Sequence, residues 1–157
     1  MQKTIYTSYF GNYRNIPPEY QCVSIANSKP RIGVPTWCNV VPNWKDVEAL
    51  KNNKMTSYEF ALRYLHTLDS ISVEQCTQYL NSFASDTIVL LCYEKHYFDC
   101  HRYLLGYWLH KNLLIDIDEY PSDYYVPKDK QLFTNAIEFI QDFQQQEALR
   151  ANFWMED

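Results

Sequence analysis

Apolar residues along this chain follow two periods, one of two residues and one of three to four. Lys3 to Phe10 is rich in β-branched and aromatic residues and stops at Gly11-Asn12, which predicts a first strand and its turn. After Pro17-Pro18, Tyr20 to Ala26 predicts a second strand. Asn27 to Asn43 carries Pro30, Pro35, Pro42 and Gly33, so it reads as an irregular connection. A loop of that length is uncommon unless it is functional.

Helical spacing begins at Trp44 to Asn52, a short amphipathic segment. Thr56-Ser-Tyr-Glu59 has the pattern in which the first and fourth side chains satisfy each other's orphan backbone donors. It predicts a helix from Ser57 to Leu68 with Phe60, Ala61, Tyr64, Leu65 and Leu68 inward. Ser72-Val-Glu-Gln75 repeats the pattern and starts a helix presenting Val73, Cys76, Tyr79, Leu80 and Phe83. Thr87 to Tyr93 is apolar almost throughout and predicts a central strand covered on both faces. Cys100 to Lys111, capped by Asp99, predicts the next helix, and Leu113 to Ile117 a strand parallel to the previous one. Pro121 to Pro127 is turn-rich. Lys128 to Asn152 carries Phe133, Ile137, Ile140 and Phe143 on one helical stripe.

These elements define an α/β layered domain of Rossmann-like type, with a small, mostly parallel sheet flanked by helices and an added C-terminal helix. The expected division is a domain over 1–118 and a linker with helical extension, packed on it, over 119–157. The 157 residues suffice for a self-supporting core, and 46% hydrophobic with 17% aromatic content excludes overall disorder. A net charge of −5 argues against bulk nucleic-acid binding. The run Ile88 to Cys92 is far too short to span a membrane, and Met1 to Thr4 opens into a strand without a signal-peptide core. The expectation is a cytoplasmic protein whose five cysteines are reduced.

Candidate chemistry concentrates in Leu91 to Arg102, at the exit of the central strand. That edge is where open α/β sheets place ligands. Cys100, His101 and Arg102 fall in the first turn of the next helix, where free backbone N–H groups favour an anion. Arg102 adds a bidentate fork for phosphate or carboxylate. A helix start beside Arg and His also lowers a thiol pKa, making Cys100 a candidate thiolate. Glu94, just past the strand, is either a partner for Arg102 or His101 or an acid–base group. Cys92, in an apolar run, reads as a core thiol or, facing the site, as a ligand contact. The Cys-x7-Cys-His spacing fits no standard zinc set, and glycines only at 11, 33 and 106 exclude a phosphate-binding glycine loop. No metal or resident cofactor is expected.

Cys92-Tyr93-Glu94 followed by Cys100-His101-Arg102 resembles the signature of the domain-of-unknown-function 488 family, the YeaO-like proteins. In that family a strand ending Cys-x-Glu leads through a short loop to Cys-His-Arg on a helix. Ile5 to Phe10 resembles the family's first strand, and Val23 to Ala26 its second, before the Pro-bearing loop Ser28-Lys29-Pro30-Arg31. The resemblance extends over about residues 3 to 118. It implies an α/β fold and a shared ligand or active site, without an established reaction.

The leading functional expectation is binding of an anionic small molecule of the nucleotide-derived class. Arg102 and the helix start would hold the anion, with His101 and Glu94 as the polar pair. Tyr6, Thr7 and Ser8 would line the floor, with Cys92 beside them, and Ser28, Lys29 and Arg31 would close from the loop. The alternatives are a hydrolase or group transferase using Cys100 with His101 or Glu94, and a phage or mobile-element accessory protein that binds a host protein through Arg31 to Trp44. A homodimer is a further possible assembly.

Overall fold

A computed structural model of the protein describes residues 3–27, 32–93 and 101–120. Four parallel strands form one sheet in the order β2-β3-β1-β4: β1 is Thr4–Tyr9, β2 Gln21–Ser24, β3 Thr87–Cys92 and β4 Ile117–Glu119. Among the described residues four α-helices accompany them: α1 Trp44–Lys51, α2 Ser57–Asp69, α3 Val73–Asn81 and α4 Arg102–Leu113. The expectation of an α/β layered fold is met, with a sheet that is parallel throughout.

Sequence-encoded caps set the helix starts. Asn43 accepts from the Lys45 amide, Thr56 from the Glu59 amide, and Ser72 and Gln75 form the full reciprocal box. The inward faces of α2, α3 and α4 then supply Phe60, Tyr64, Leu68, Cys76, Leu80, Leu105, Trp108 and Leu109 to one core. Ile5, Val23, Ile25, Ile88, Leu90, Cys92 and Ile117 meet them from the sheet. Trp37 is also in this core, 1% exposed and stacked on Tyr79 at 4.6 Å. That position removes Trp37 from the binding surface expected of the Arg31 to Trp44 loop, while Trp44 is exposed.

The other face of the sheet has a different lining. Val89 and Leu91 are fully buried there, with Cys22 and Ile16, under Tyr6, Phe10, Tyr13, Tyr20, Ile32, Val34 and Tyr120. β3 is therefore apolar on both faces, as its sequence predicts. The first connection, a 3-10 turn at Phe10–Asn15, contributes Phe10 and Tyr13 to this second cluster.

Two sequence expectations change at the chain's later elements. The helix predicted over Cys100 to Lys111 runs Arg102–Leu113 and ends on Leu114 in a left-handed conformation (φ 57°), 87% exposed. The strand predicted over Leu113 to Ile117 accordingly starts at Ile117, and it pairs with β1 rather than β3, Thr7 facing Glu119. The extra helical residues and the left-handed turn carry the chain across β1 before it can extend again. Asp99 and the tail stripe Phe133, Ile137, Ile140 and Phe143 lie outside the described residues.

Candidate functional site

At the C-terminal edge of the sheet, neighbouring strands β1 and β3 send the chain to opposite faces. β1 leads into the 3-10 turn of the aromatic face, and β3 leads toward α4 on the helical face. Strand divergence of this kind opens a crevice at the carboxyl edge, the usual ligand position in open α/β sheets. The last residues of the two strands pair in register, Tyr9 with Cys92, and Phe10 and Tyr93 meet edge to face at 4.6 Å just beyond them.

The start of α4 reaches into this edge with two consecutive buried side chains. Arg102 is 0% exposed, and its Nε and Nη2 donate to Glu119 Oε1 and Oε2 at 3.2 and 2.9 Å. Its Nη1 donates to Cys92 Sγ at 3.0 Å. Glu119 Oε1 also accepts from the Thr7 hydroxyl at 2.6 Å. His101, 7% exposed, contacts the Ile25 carbonyl oxygen through Nε2 at 2.5 Å. A carbonyl only accepts, so Nε2 carries the proton. Thus His101 ties α4 to the end of β2, and Arg102 ties it to β3 and β4, with Thr7 of β1 joined through Glu119.

Burial pushes the His101 pKa down to about 4, assisted by the Arg102 charge and opposed by the Ile25 hydrogen bond. The ring is neutral near neutral pH, which leaves Nδ1 a bare acceptor. Tyr64 lies edge-on to it at 5.2 Å between ring centroids, and its hydroxyl donates elsewhere, to the Val40 carbonyl. Among the described residues no donor is bonded to Nδ1.

The cysteines divide sharply. Cys22, Cys38 and Cys76 are free, as expected of reduced thiols, and burial raises the Cys22 and Cys76 pKa to about 11. Cys92 departs from that expectation: it is disulfide-bonded. It is the last residue of β3 and lies fully buried in the core of the helical face, as its apolar run predicts.

Of the residues named from sequence, the structure brings Thr7, Cys92 and Arg102 together and sets His101 beside Arg102. Arg102 has the bidentate geometry expected of it, but its fork is engaged by Glu119. Tyr6 and Ser8, alternating with Thr7, belong to the opposite face. Tyr6 packs with Tyr20 and Tyr120, and Ser8 donates to the Tyr120 carbonyl. Ser28, Lys29, Arg31, Glu94 and Cys100 lie outside the described residues. Sequence reasoning missed Glu119, whose signal is a carboxylate spaced two from Ile117 on the inward side of a strand. Among the described residues no cluster of three His, Cys, Asp or Glu side chains could hold a metal ion.

Fold and edge together define a small α/β protein with a parallel sheet and a polar clamp at its carboxyl end. The family model described as Domain of unknown function DUF488 matches residues 38–109, so this stretch, from the turn before α1 into α4, is similar to that family. The match bears out the resemblance and includes Cys92, His101 and Arg102, while β1, β2 and β4 fall outside it. No curated protein and no solved structure matches the chain. Among the described residues no helix is long and apolar enough to cross a membrane.

Proposed function

We propose that this protein binds a small molecule carrying an anionic group next to an O–H or N–H donor, a combination that nucleotides supply. The observation that carries this reading is His101 Nδ1, an acceptor in a 93% buried ring (7% exposed) with no bonded donor among the described residues. Leaving such an atom unsatisfied costs roughly 1–3 kcal/mol, and native proteins keep few of them without a use. The ligand's donor would meet Nδ1. Its anionic group would lie at the start of α4, which among the described residues has no side-chain cap and no acidic residue in its first turn.

In this reading Arg102 is a positioning residue, because Glu119 already neutralises it. Glu94, Cys100, Ser28, Lys29 and Arg31 are the candidates to complete the site. Binding is favoured over a hydrolase or transferase mechanism that uses His101 as base. A ring with a pKa near 4 is poorly matched to proton abstraction at neutral pH.

The test is nitrogen NMR of the His101 ring, with thermal melting, as inorganic phosphate and nucleoside monophosphates are titrated in. The expected result is a shift of the Nδ1 resonance and a rise in Tm with one of them. The rise in Tm should vanish in His101→Gln, whose amide can still donate to the Ile25 carbonyl. An unmoved Nδ1 resonance and an unchanged Tm with every probe would overturn the reading.

A further inference from the structure

On the aromatic face of the sheet a carboxylate stands among tyrosines. Pairing in register puts Cys22, Val89, Tyr6 and Asp118 in one row across the four strands. In β4, Ile117 and Glu119 turn to the helical face, which leaves Asp118 and Tyr120 on the aromatic one. Asp118 is exposed, and among the described residues no cation pairs with it. Three rings gather beside it: Tyr6 from β1, Tyr20 from the turn that enters β2, and Tyr120 at the exit of β4. Tyr6 and Tyr20 are 17° from parallel at 6.3 Å between centroids, and Tyr120 stands edge-on to both, at 5.4 and 5.9 Å. The centroids form a triangle, and a group seated over it lies within roughly 6 Å of every ring. Each ring is only half-buried, so the triangle is not sealed in the core.

The backbone fixes these rings in advance. The Tyr120 amide donates to the Thr7 carbonyl at 2.9 Å, its carbonyl accepts from Ser8 and Asn12 at 2.9 and 3.0 Å, and the Tyr20 amide donates to the Pro17 carbonyl at 3.0 Å. Burial, then Tyr20, Asp118 and Tyr120, raise the Tyr6 pKa, so the phenol stays neutral with the Asp118 charge acting on it. A carboxylate beside ring faces that are themselves negative is unfavourable, whereas a cation is attracted by both.

We propose that Tyr6, Tyr20, Tyr120 and Asp118 form a cage for a small quaternary ammonium ion of the choline class. The rings meet its methyl groups with apolar, electron-rich surface, and Asp118 supplies the counter-charge. A primary ammonium loses more on leaving water, since its three N–H donors need oxygen acceptors that ring faces do not replace. The cage lies on the face opposite the His101 ring, which packs against Tyr64 on the helical side, and it does not depend on the anion reading.

The experiment follows the tyrosine ring resonances of the full chain as tetramethylammonium, choline and the neutral tert-butyl isostere of choline are titrated in at constant ionic strength. Saturable shifts are expected with both cations, and binding about tenfold weaker with the isostere. Tyr120→Phe should keep the site, because the ring and not the hydroxyl is used, and Tyr120→Leu should abolish it. Asp118→Asn should weaken binding several-fold at unchanged Tm; the residue is exposed, so this variant reads the site even where Tyr120→Leu does not fold. Equal affinity for the neutral isostere, equal loss in the Phe and Leu variants, or an unaltered affinity in Asp118→Asn would overturn the proposal. So would the absence of shifts with either cation, which would mean that another part of the chain fills the triangle. Phosphatidylcholine vesicles separate the sources: sedimentation with them assigns the group to a lipid headgroup, and a protein left in solution assigns it to a free molecule.

Discussion

Each end of the sheet buries a cation, and the two are handled in opposite ways. At the N-terminal edge Lys3 donates to the Phe83 and Ser85 carbonyls at 2.7 and 2.5 Å, closing the turn between α3 and β3. Ser85 secures the same corner through the Glu19 and Thr87 carbonyls. These bonds are structural, the two from Lys3 joining residues 80 and 82 apart in the chain. At the C-terminal edge Arg102 meets a carboxylate and a disulfide sulfur, and its neighbour His101 keeps one nitrogen without a donor among the described residues. The lesson is that burial of charge alone does not mark a site in this protein. What separates the edges is polar capacity beyond what holding the fold together requires.

Deleting one member of the Arg102–Glu119 pair should break that contrast most strongly. Arg102→Ala leaves a buried carboxylate uncompensated and should cost about 3–5 kcal/mol in denaturant unfolding. The double variant Arg102→Met with Glu119→Leu should recover much of that loss, because it removes both desolvated charges. A double variant as unstable as the single would mean that packing, not charge, dominates the edge.

Acid provides the next test. The folded pKa of His101, about 4, lies below the 6.5 of a free imidazole, so between these values the unfolded chain binds the extra proton. Stability is fully present above pH 6.5 and falls as pH drops toward 4, by roughly 3 kcal/mol from this group. His101→Gln should remove that segment of the pH profile, read from urea midpoints. An identical profile in the variant would locate the acid sensitivity elsewhere. The smallest effect is expected at the other edge: Lys3→Met should cost about 1.5 kcal/mol and leave the His101 segment of the pH profile unchanged.

Much of this molecule is legible in its sequence, and the division follows the range of the forces involved. Caps at Thr56 and Ser72 are local chemistry, so α2 and α3 start where the residues say they do. The double-sided apolar run of β3 marks a central strand without any knowledge of its neighbours. β4 has three residues, too few to show a period, and its partner depends on where α4 releases the chain. For that reason the Arg102 fork was readable while Glu119, its partner, was not. The burial of Cys92 is legible in its apolar run, whereas its disulfide is not, because pairing depends on a second sulfur that the strand itself does not carry. Tyr6-Thr7-Ser8 reads as one floor only if strand alternation is ignored, and the pleat sends Thr7 to the clamp and its neighbours away from it.

The start of α4 also bears on how the fold comes apart. Two adjacent side chains connect a helix terminus to the ends of β2, β3 and β4, and through Thr7 to β1. No strand can then leave the sheet without disturbing the same few bonds. Edge strands as short as β2 and β4 would ordinarily fray ahead of the interior; here their amides should exchange hydrogen together with those of β1 and β3, as one cooperative unit.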